Sequence, residues 1–194
     1  MRLNNEIVER FRQGFDQAVE AGIPEPTAMT LSTVGEDARP AGRVVLLKGY
    51  DADGFVFYTN TLSRKGRQLA ANPQTSLVFW WRENEQQVLI EGRANPVTGD
   101  EADAYFASRP RGSQIGAWAS KQSTELDSRQ TLVDRVAELE AQYEGRKIPR
   151  PPHWSGYRVD PDRVEFWYGR EFRLHERILF TAGDRDWERK LLYP

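Results

Sequence analysis

The chain has 194 residues, with 27 Lys and Arg against 29 Asp and Glu, and no cysteine. A net charge of -2 argues against a nucleic-acid or membrane-surface role, which needs a basic excess, and the missing cysteines exclude disulfides, thiolate-held zinc and thiol catalysis. Hydrophobic residues at 39%, no apolar run of membrane-spanning length and no apolar signal core lead to the expectation of a folded, cytoplasmic protein.

The first predicted element is a helix over residues 4–21, where Ile7, Phe11, Phe15, Ala18 and Val19 recur at helical spacing and Gly22 can close the end. A strand follows at Ala28–Val34, then a turn at Gly35-Glu36-Asp37 and a second strand at Arg39–Lys48. Asp51-Ala52-Asp53-Gly54 reads as a hairpin turn into a third strand, Phe55–Thr59. Ser63 is the expected N-cap of a short helix, Arg64–Ala71, stopped by Asn72-Pro73. Thr75–Arg82 and Gln86–Val97 form another hairpin. Thr98 and Glu101 fit a capping box for a helix through Ala107, which Arg109-Pro110-Arg111-Gly112 breaks. Ser113–Ser120 adds a turn or two, and Ser128–Tyr143 is a clearer helix. An extended connector at Ile148–Pro152 leads to strands near Tyr157–Val159, Arg163–Trp167, Leu174–Thr181 and Trp187–Leu192.

Seven or eight strands joined by short turns pair antiparallel. The expected class is mainly β (α+β): a closed or half-closed antiparallel barrel with peripheral helices, one domain over residues 1–194 with a helical insertion near 99–143. A Rossmann layout is disfavoured, because strands do not alternate with helices and no G-x-G-x-x-G is present.

Four clusters carry possible chemistry. Arg43, Lys48, Thr59, Ser63, Arg64 and Lys65 flank the 51–54 turn and offer a phosphate planar forks, point charges, hydroxyls and a helix N-terminus. The plainer reading is a solvated strand end beside an ordinary cap, and spacing alone does not separate the two. Tyr105, Arg109 and Ser113 recur four apart and can converge on a small anion; composition favours a helix end whose last carbonyls are satisfied by Arg109 and Arg111. Gln114–Ser123 reads first as a helix–helix contact followed by a loop. In Glu165–Arg177, Trp167 can pack on a flat ligand, while Arg173, His175 and Arg177 alternate along a predicted strand. Three basic groups on one face call for an anion, or for carboxylates such as Glu165, Glu171 or Glu176. Two histidines in separate contexts, His153 and His175, do not make a metal site.

Several motifs together resemble the pyridoxamine 5'-phosphate oxidase family. They are Arg43-Val44-Val45-Leu46-Leu47-Lys48, Phe57–Asn60 with Ser63-Arg64-Lys65, Ser108–Arg111 with Ser113–Trp118, Ser120–Ser123, and Glu165-Phe166-Trp167 with Arg173–Arg177. They run in the family's order from about Pro26 to Pro194. The resemblance implies an FMN-binding split β-barrel and a homodimer with FMN at the subunit interface. By position it implies that Arg43, Thr59, Ser63, Arg64 and Lys65 hold the flavin phosphate and ribityl chain. Tyr58 and the backbone of Val44–Lys48 would lie near the flavin, and Gln87 would contact its ring. Gln122, Ser123, Trp167 and Arg177 would also reach FMN, some from the partner subunit. Lys48, Tyr105, Arg109 and Ser113 would grip the phosphate of a small phosphorylated pyridine. Arg173, Leu174 and His175 would lie over its ring, with Arg173 and His175 nearest the chemistry.

The reaction so implied is oxidation of pyridoxamine or pyridoxine 5'-phosphate to pyridoxal 5'-phosphate, with hydride transfer to the flavin and reoxidation by dioxygen to give hydrogen peroxide. A sibling oxidase acting on a phenazine-type aromatic and a non-catalytic FMN or pyridoxal phosphate binder are the alternatives. Many family members carry an N-terminal Arg-Arg-x-Tyr arm, which is not found here, so a more open site with a raised Michaelis constant is expected.

Overall fold

Asn4 starts the first helix, its side chain accepting the Ile7 amide at 3.0 Å in the computed structural model, which describes residues 1–194. This helix, α1 (Asn5–Glu20), buries Ile7, Phe11, Gly14 and Ala18 on one face, and Gly22 follows its end at φ +71°. Next come strands β1 (Ala28–Val34), β2 (Pro40–Leu46), β3 (Gly49–Asp51) and β4 (Gly54–Asn60), helix α2 (Arg64–Ala71), and strands β5 (Gln74–Trp81) and β6 (Gln86–Pro96). Helices α3 (Gly99–Ser108), α4 (Arg111–Ala119) and α5 (Arg129–Gln142) form the predicted insertion. Strands β7 (Trp154–Tyr168), β8 (Glu176–Ala182) and β9 (Trp187–Leu192) complete the chain.

Every ladder is antiparallel, and the strand order is β2-β1-β5-β6-β7-β4-β3, with β8 on β7 and β9 on β8. Strand β7 organises the sheet. Its 15 residues pair with β6 along one side, while on the other side its first half faces β4 and its second half faces β8. The sequence suggests two strands here, divided at Asp160-Pro161-Asp162. The structure makes one, because a bulge opposite Glu91 and Gly92 absorbs Asp162, next to the proline that cannot donate to a ladder.

A second difference concerns the predicted hairpin between Arg39–Lys48 and β4. Strand β2 pairs only with β1, and the three-residue β3 makes the hairpin with β4. Strands β2 and β3 thus stand at opposite ends of the strand order, with only Leu47 and Lys48 between them. The Leu47 amide donates to Thr27 O at 2.9 Å and the Lys48 amide to Val56 O at 2.8 Å. No ladder can run through two residues that cross from one edge to the other, and their crossing curls the sheet into a split barrel. The expected antiparallel split barrel with peripheral helices is the observed fold.

Inward-facing residues of the strands, among them Leu31, Phe57, Leu77, Phe79, Ile90 and Phe166, fill the barrel. Helix α1 adds Phe11, whose ring meets those of Tyr50, Phe55 and Phe79 edge-on at 4.7, 4.9 and 5.1 Å. A smaller core of Phe106, Ile115, Ala119, Leu139, Ile148 and Trp154 lies under the helical insertion. Residues of both regions line the main cavity.

Candidate active site

The site is built on the start of α2. Ser63 caps this helix by accepting the Gly66 amide at 3.3 Å. The helix lies so near the preceding loop that a Cβ on Gly66 would stand 2.1 Å from Thr61 O, so only glycine fits. Lys65 is thereby turned inward and is 9% exposed. Its Nζ donates to Gln122 Oε1 at 2.7 Å, Thr59 Oγ1 at 3.1 Å and Ser63 Oγ at 3.3 Å. From β2, Arg43 Nη1 donates to Thr33 Oγ1 at 2.6 Å and Leu31 O at 3.2 Å.

All these acceptors are neutral, and neither cation forms an ion pair. Burial, and then the charge of Arg43, pulls the Lys65 amine down to about 8; burial, and then Arg64, lowers Arg43. Two close, desolvated cations with no carboxylate between them are a seat for an anion, and the donor set fits a phosphate.

Both cations line a cavity of about 740 Å³ that also receives Val44, Val45, Leu46, Lys48, Tyr58, Thr59, Tyr105, Arg109, Ser113 and Gln122, and no Asp or Glu. An adjoining cavity of about 520 Å³ shares Arg43 and Lys65 and adds Arg64 and Ser123. Tyr105, Arg109 and Ser113 do converge, but from two helices: Arg109 ends α3 and Ser113 belongs to α4. The Arg109 guanidinium lies 4.8 Å from the centre of the Trp154 ring, and its Nη1 is buried without a hydrogen-bond partner. A half-buried guanidinium at the wall of a carboxylate-free cavity, with no carboxylate to balance it, suits a second anion.

Between the two cation groups stands an aromatic stack. The Tyr58 ring lies 4.0 Å from Tyr105 at 15° and 5.3 Å from Trp154 at 5°. Gly156, opposite Tyr58 in the ladder, makes room for it: a Cβ there would sit 2.6 Å from the ring. Burial, then Glu101 and Tyr105, pushes the Tyr58 hydroxyl up to about 12, so it remains a protonated donor.

Other candidates are placed differently. The Leu47 side chain is buried in the barrel core, leaving only its backbone near the cavity edge, and the Ser63 hydroxyl is fully buried under the α2 start. Gln87, Trp167 and Arg177 lie outside the cavity but form one cross-strand row, Gln87 opposite Trp167 on β6 and β7, and Trp167 opposite Arg177 on β7 and β8. Arg173 and His175 do not alternate with Arg177 along a strand as expected. Phe172 and Arg173 take φ values of 55° and 61° in a tight 3-10 turn, and β8 begins only at Glu176. The turn is fixed by the His175 ring, which lies 4.5 Å from that of Trp167 at a tilt of 40° while its Nδ1 accepts the Arg170 amide at 3.1 Å. Arg177 is matched bidentately by Glu165, at 2.7 and 3.0 Å, so its charge is already balanced.

Asn60, Ser108, Ser120 and Trp154 also line the cavity, and Thr33 and Gln68 stand behind Arg43. Asn60, Ser108 and Ser120 fall within the motifs read from the sequence but were given no role there, and Trp154, Thr33 and Gln68 were not singled out. The one usable signal was the inward register of Thr33 on β1, between Leu31 and the turn.

Comparison with known proteins bears on this arrangement. A family model described as Pyridoxamine 5'-phosphate oxidase matches residues 15–143, and one described as Pyridoxine 5'-phosphate oxidase C-terminal dimerisation region matches residues 154–194. The pyridoxine/pyridoxamine 5'-phosphate oxidase of Rubrobacter xylanophilus is 54% identical over 187 residues, 96% of this chain and 86% of that protein. The protein of the same name from Synechocystis sp. is 55% identical over 185 residues, 95% of this chain and 86% of its own. Among solved structures, PhzG from Burkholderia lata 383 in complex with tetrahydrophenazine-1-carboxylic acid superposes with a TM-score of 0.92 at 35% identity, covering 96% of this chain and 92% of that one. A pyridoxamine 5'-phosphate oxidase-related, FMN binding protein from Nostoc punctiforme shares the fold, with a TM-score of 0.76 at 17% identity over 100% of both chains.

Proposed function

Because the chain belongs to the pyridoxamine 5'-phosphate oxidase family, whose members are oxidoreductases, we propose that it binds FMN and oxidises pyridoxamine and pyridoxine 5'-phosphates to pyridoxal 5'-phosphate. The observation that carries this reading is the carboxylate-free cavity with a cation group on each side of an aromatic stack. One group suits the phosphate of a flavin nucleotide and the other that of a phosphorylated substrate.

Arg43, Arg64 and Lys65 hold the FMN phosphate, with Thr59, Gln122 and Ser123 along the ribityl chain. Strand β2 is an edge strand, so those backbone groups of Val44–Leu46 that point away from β1 can meet the polar rim of a flat ring, with Leu47 and Lys48 beside them. Lys48, Tyr105, Arg109 and Ser113 grip the substrate phosphate, with the Tyr58 ring near the flavin. When bound, FMN supplies the redox chemistry, accepting a hydride from the substrate and passing the electrons to dioxygen with formation of hydrogen peroxide. The protein's share is to bind, orient and desolvate.

Gln87, Trp167, Arg173, Leu174, His175 and Arg177 reach this cavity from the other subunit of a homodimer. Their position outside their own chain's cavity supports this, as does the exposure of Val44 at 66%, Phe172 at 88% and Leu174 at 69%. Arg173 and His175 then lie over the pyridine ring, where Arg173 orients it for the hydride transfer. The whole of residues 1–194 acts as one flavin-binding unit.

The test is optical. The purified protein should be yellow, and pyridoxine 5'-phosphate added without oxygen should bleach its visible flavin band. A yellow protein bleached by neither B6 phosphate would overturn the oxidase reading in favour of a phenazine-type substrate, as the likeness to PhzG would then suggest. A colourless protein unable to take up FMN would overturn the flavin reading itself.

A further inference from the structure

Arg43 is held by side chains that never reach the cavity. Thr33 on β1 is 1% exposed and Gln68 on α2 is 8% exposed. The Thr33 hydroxyl donates to Gln68 Oε1 at 2.7 Å and accepts from Arg43 Nη1 at 2.6 Å, while Arg43 Nη2 donates to Gln68 Oε1 at 3.4 Å. The triangle is closed. The hydroxyl's one proton is committed to the amide oxygen, so its lone pairs face the guanidinium, and the amide oxygen is turned toward Arg43 as well. Leu31 O, in register with Arg43 across the β1–β2 ladder, adds a third acceptor at 3.2 Å. Three neutral acceptors fix the guanidinium plane without cancelling its charge. Arg177 shows the alternative: gripped by Glu165, it is equally fixed but neutralised.

Resting on the flavin reading above, we propose that Thr33 and Gln68 are positioning residues that present Arg43 as an uncompensated cation, and that they set the site's preference for a phosphorylated over an unphosphorylated flavin. The flavin ring and ribityl chain do not need this charge, whereas a phosphate dianion does. A carboxylate at position 68 would hold Arg43 just as firmly and still spoil the seat, which separates charge presentation from mere rigidity.

The experiment measures the dissociation constants of FMN and of riboflavin for full-length, flavin-stripped protein, by quenching of flavin fluorescence. Thr33→Val keeps the shape and removes the hydroxyl; Gln68→Glu keeps the shape and adds the charge. Each should weaken FMN about tenfold or more and leave riboflavin unchanged. Equal weakening of both flavins would reduce Thr33 and Gln68 to structural roles and overturn the proposal, as would no change in either. Wild-type protein that binds FMN no tighter than riboflavin would refute the phosphate seat beneath it, a failure visible before any variant is made. If Gln68→Glu does not fold, the near-isosteric Thr33→Val decides.

Discussion

Lys65 has an ammonium group whose proton is weakly held, and that has consequences of opposite sign for binding and for folding. Its pKa falls from 10.5 to about 8 through burial and then through Arg43. A phosphate dianion requires the charged form, so FMN affinity should be level between about pH 7 and 8 and fall toward tenfold per pH unit above that. Riboflavin should show no such slope, and Lys65→Met should bind FMN weakly and without it. A level wild-type profile up to about pH 10 would remove Lys65 from the phosphate seat. For folding, the unfolded chain holds the proton more tightly, so the flavin-free protein should gain stability as pH rises from about 8 to 10.5. At this scale the sequence was legible where a residue type announces its chemistry: Arg43, Lys65 and Arg109 are all at the cavity. It was silent on Gln68 and gave only the inward register of Thr33, because a neutral side chain behind an arginine carries no chemical pattern of its own.

Elements whose signals are local were read well. Ser63 caps α2 and Thr98 caps α3 as expected, and Ser128, read as the first residue of its helix, caps α5, although Glu101 turns to Arg158 rather than completing its capping box. Those that depend on distant partners were misread. The backbone of Arg173 is bent by a histidine two residues on, and β7 is made continuous by a bulge against β6. The three stacked rings are equally non-local, since Tyr58, Tyr105 and Trp154 come from β4, α3 and β7. That stack depends on a residue with no side chain. Gly156→Ala would press a methyl group against the Tyr58 ring and displace it from between the two cation groups. The expected result is a raised Michaelis constant for the B6 phosphates, with a loss of stability of roughly 1–3 kcal/mol by denaturant titration. Unchanged kinetics would mean that the ring does not order the substrate.

In the whole molecule, the two clusters separated within one chain should meet across a dimer. Lys65→Met and Arg173→Ala damage opposite sides of the proposed composite site. Each homodimer should be nearly inactive, while co-expression should restore about a quarter of the wild-type activity, because half of randomly paired dimers carry one intact site. No recovery in verified mixed dimers would mean that each chain builds its site alone.

The crossing at Leu47 and Lys48 also imposes an order of events on the growing polypeptide. Strand β4, which carries Tyr58 and Thr59, has only two ladder partners: the three-residue β3 and the distant β7. The residues proposed for the phosphate seat, between positions 43 and 65, leave the ribosome well before the strand that locks β4 in place, which begins only at Trp154. Closing so long a loop is slow, and the early strands must wait with exposed edges. The residues proposed to seat the flavin phosphate lie close together in the sequence, yet the strand that fixes β4 beside them is made much later.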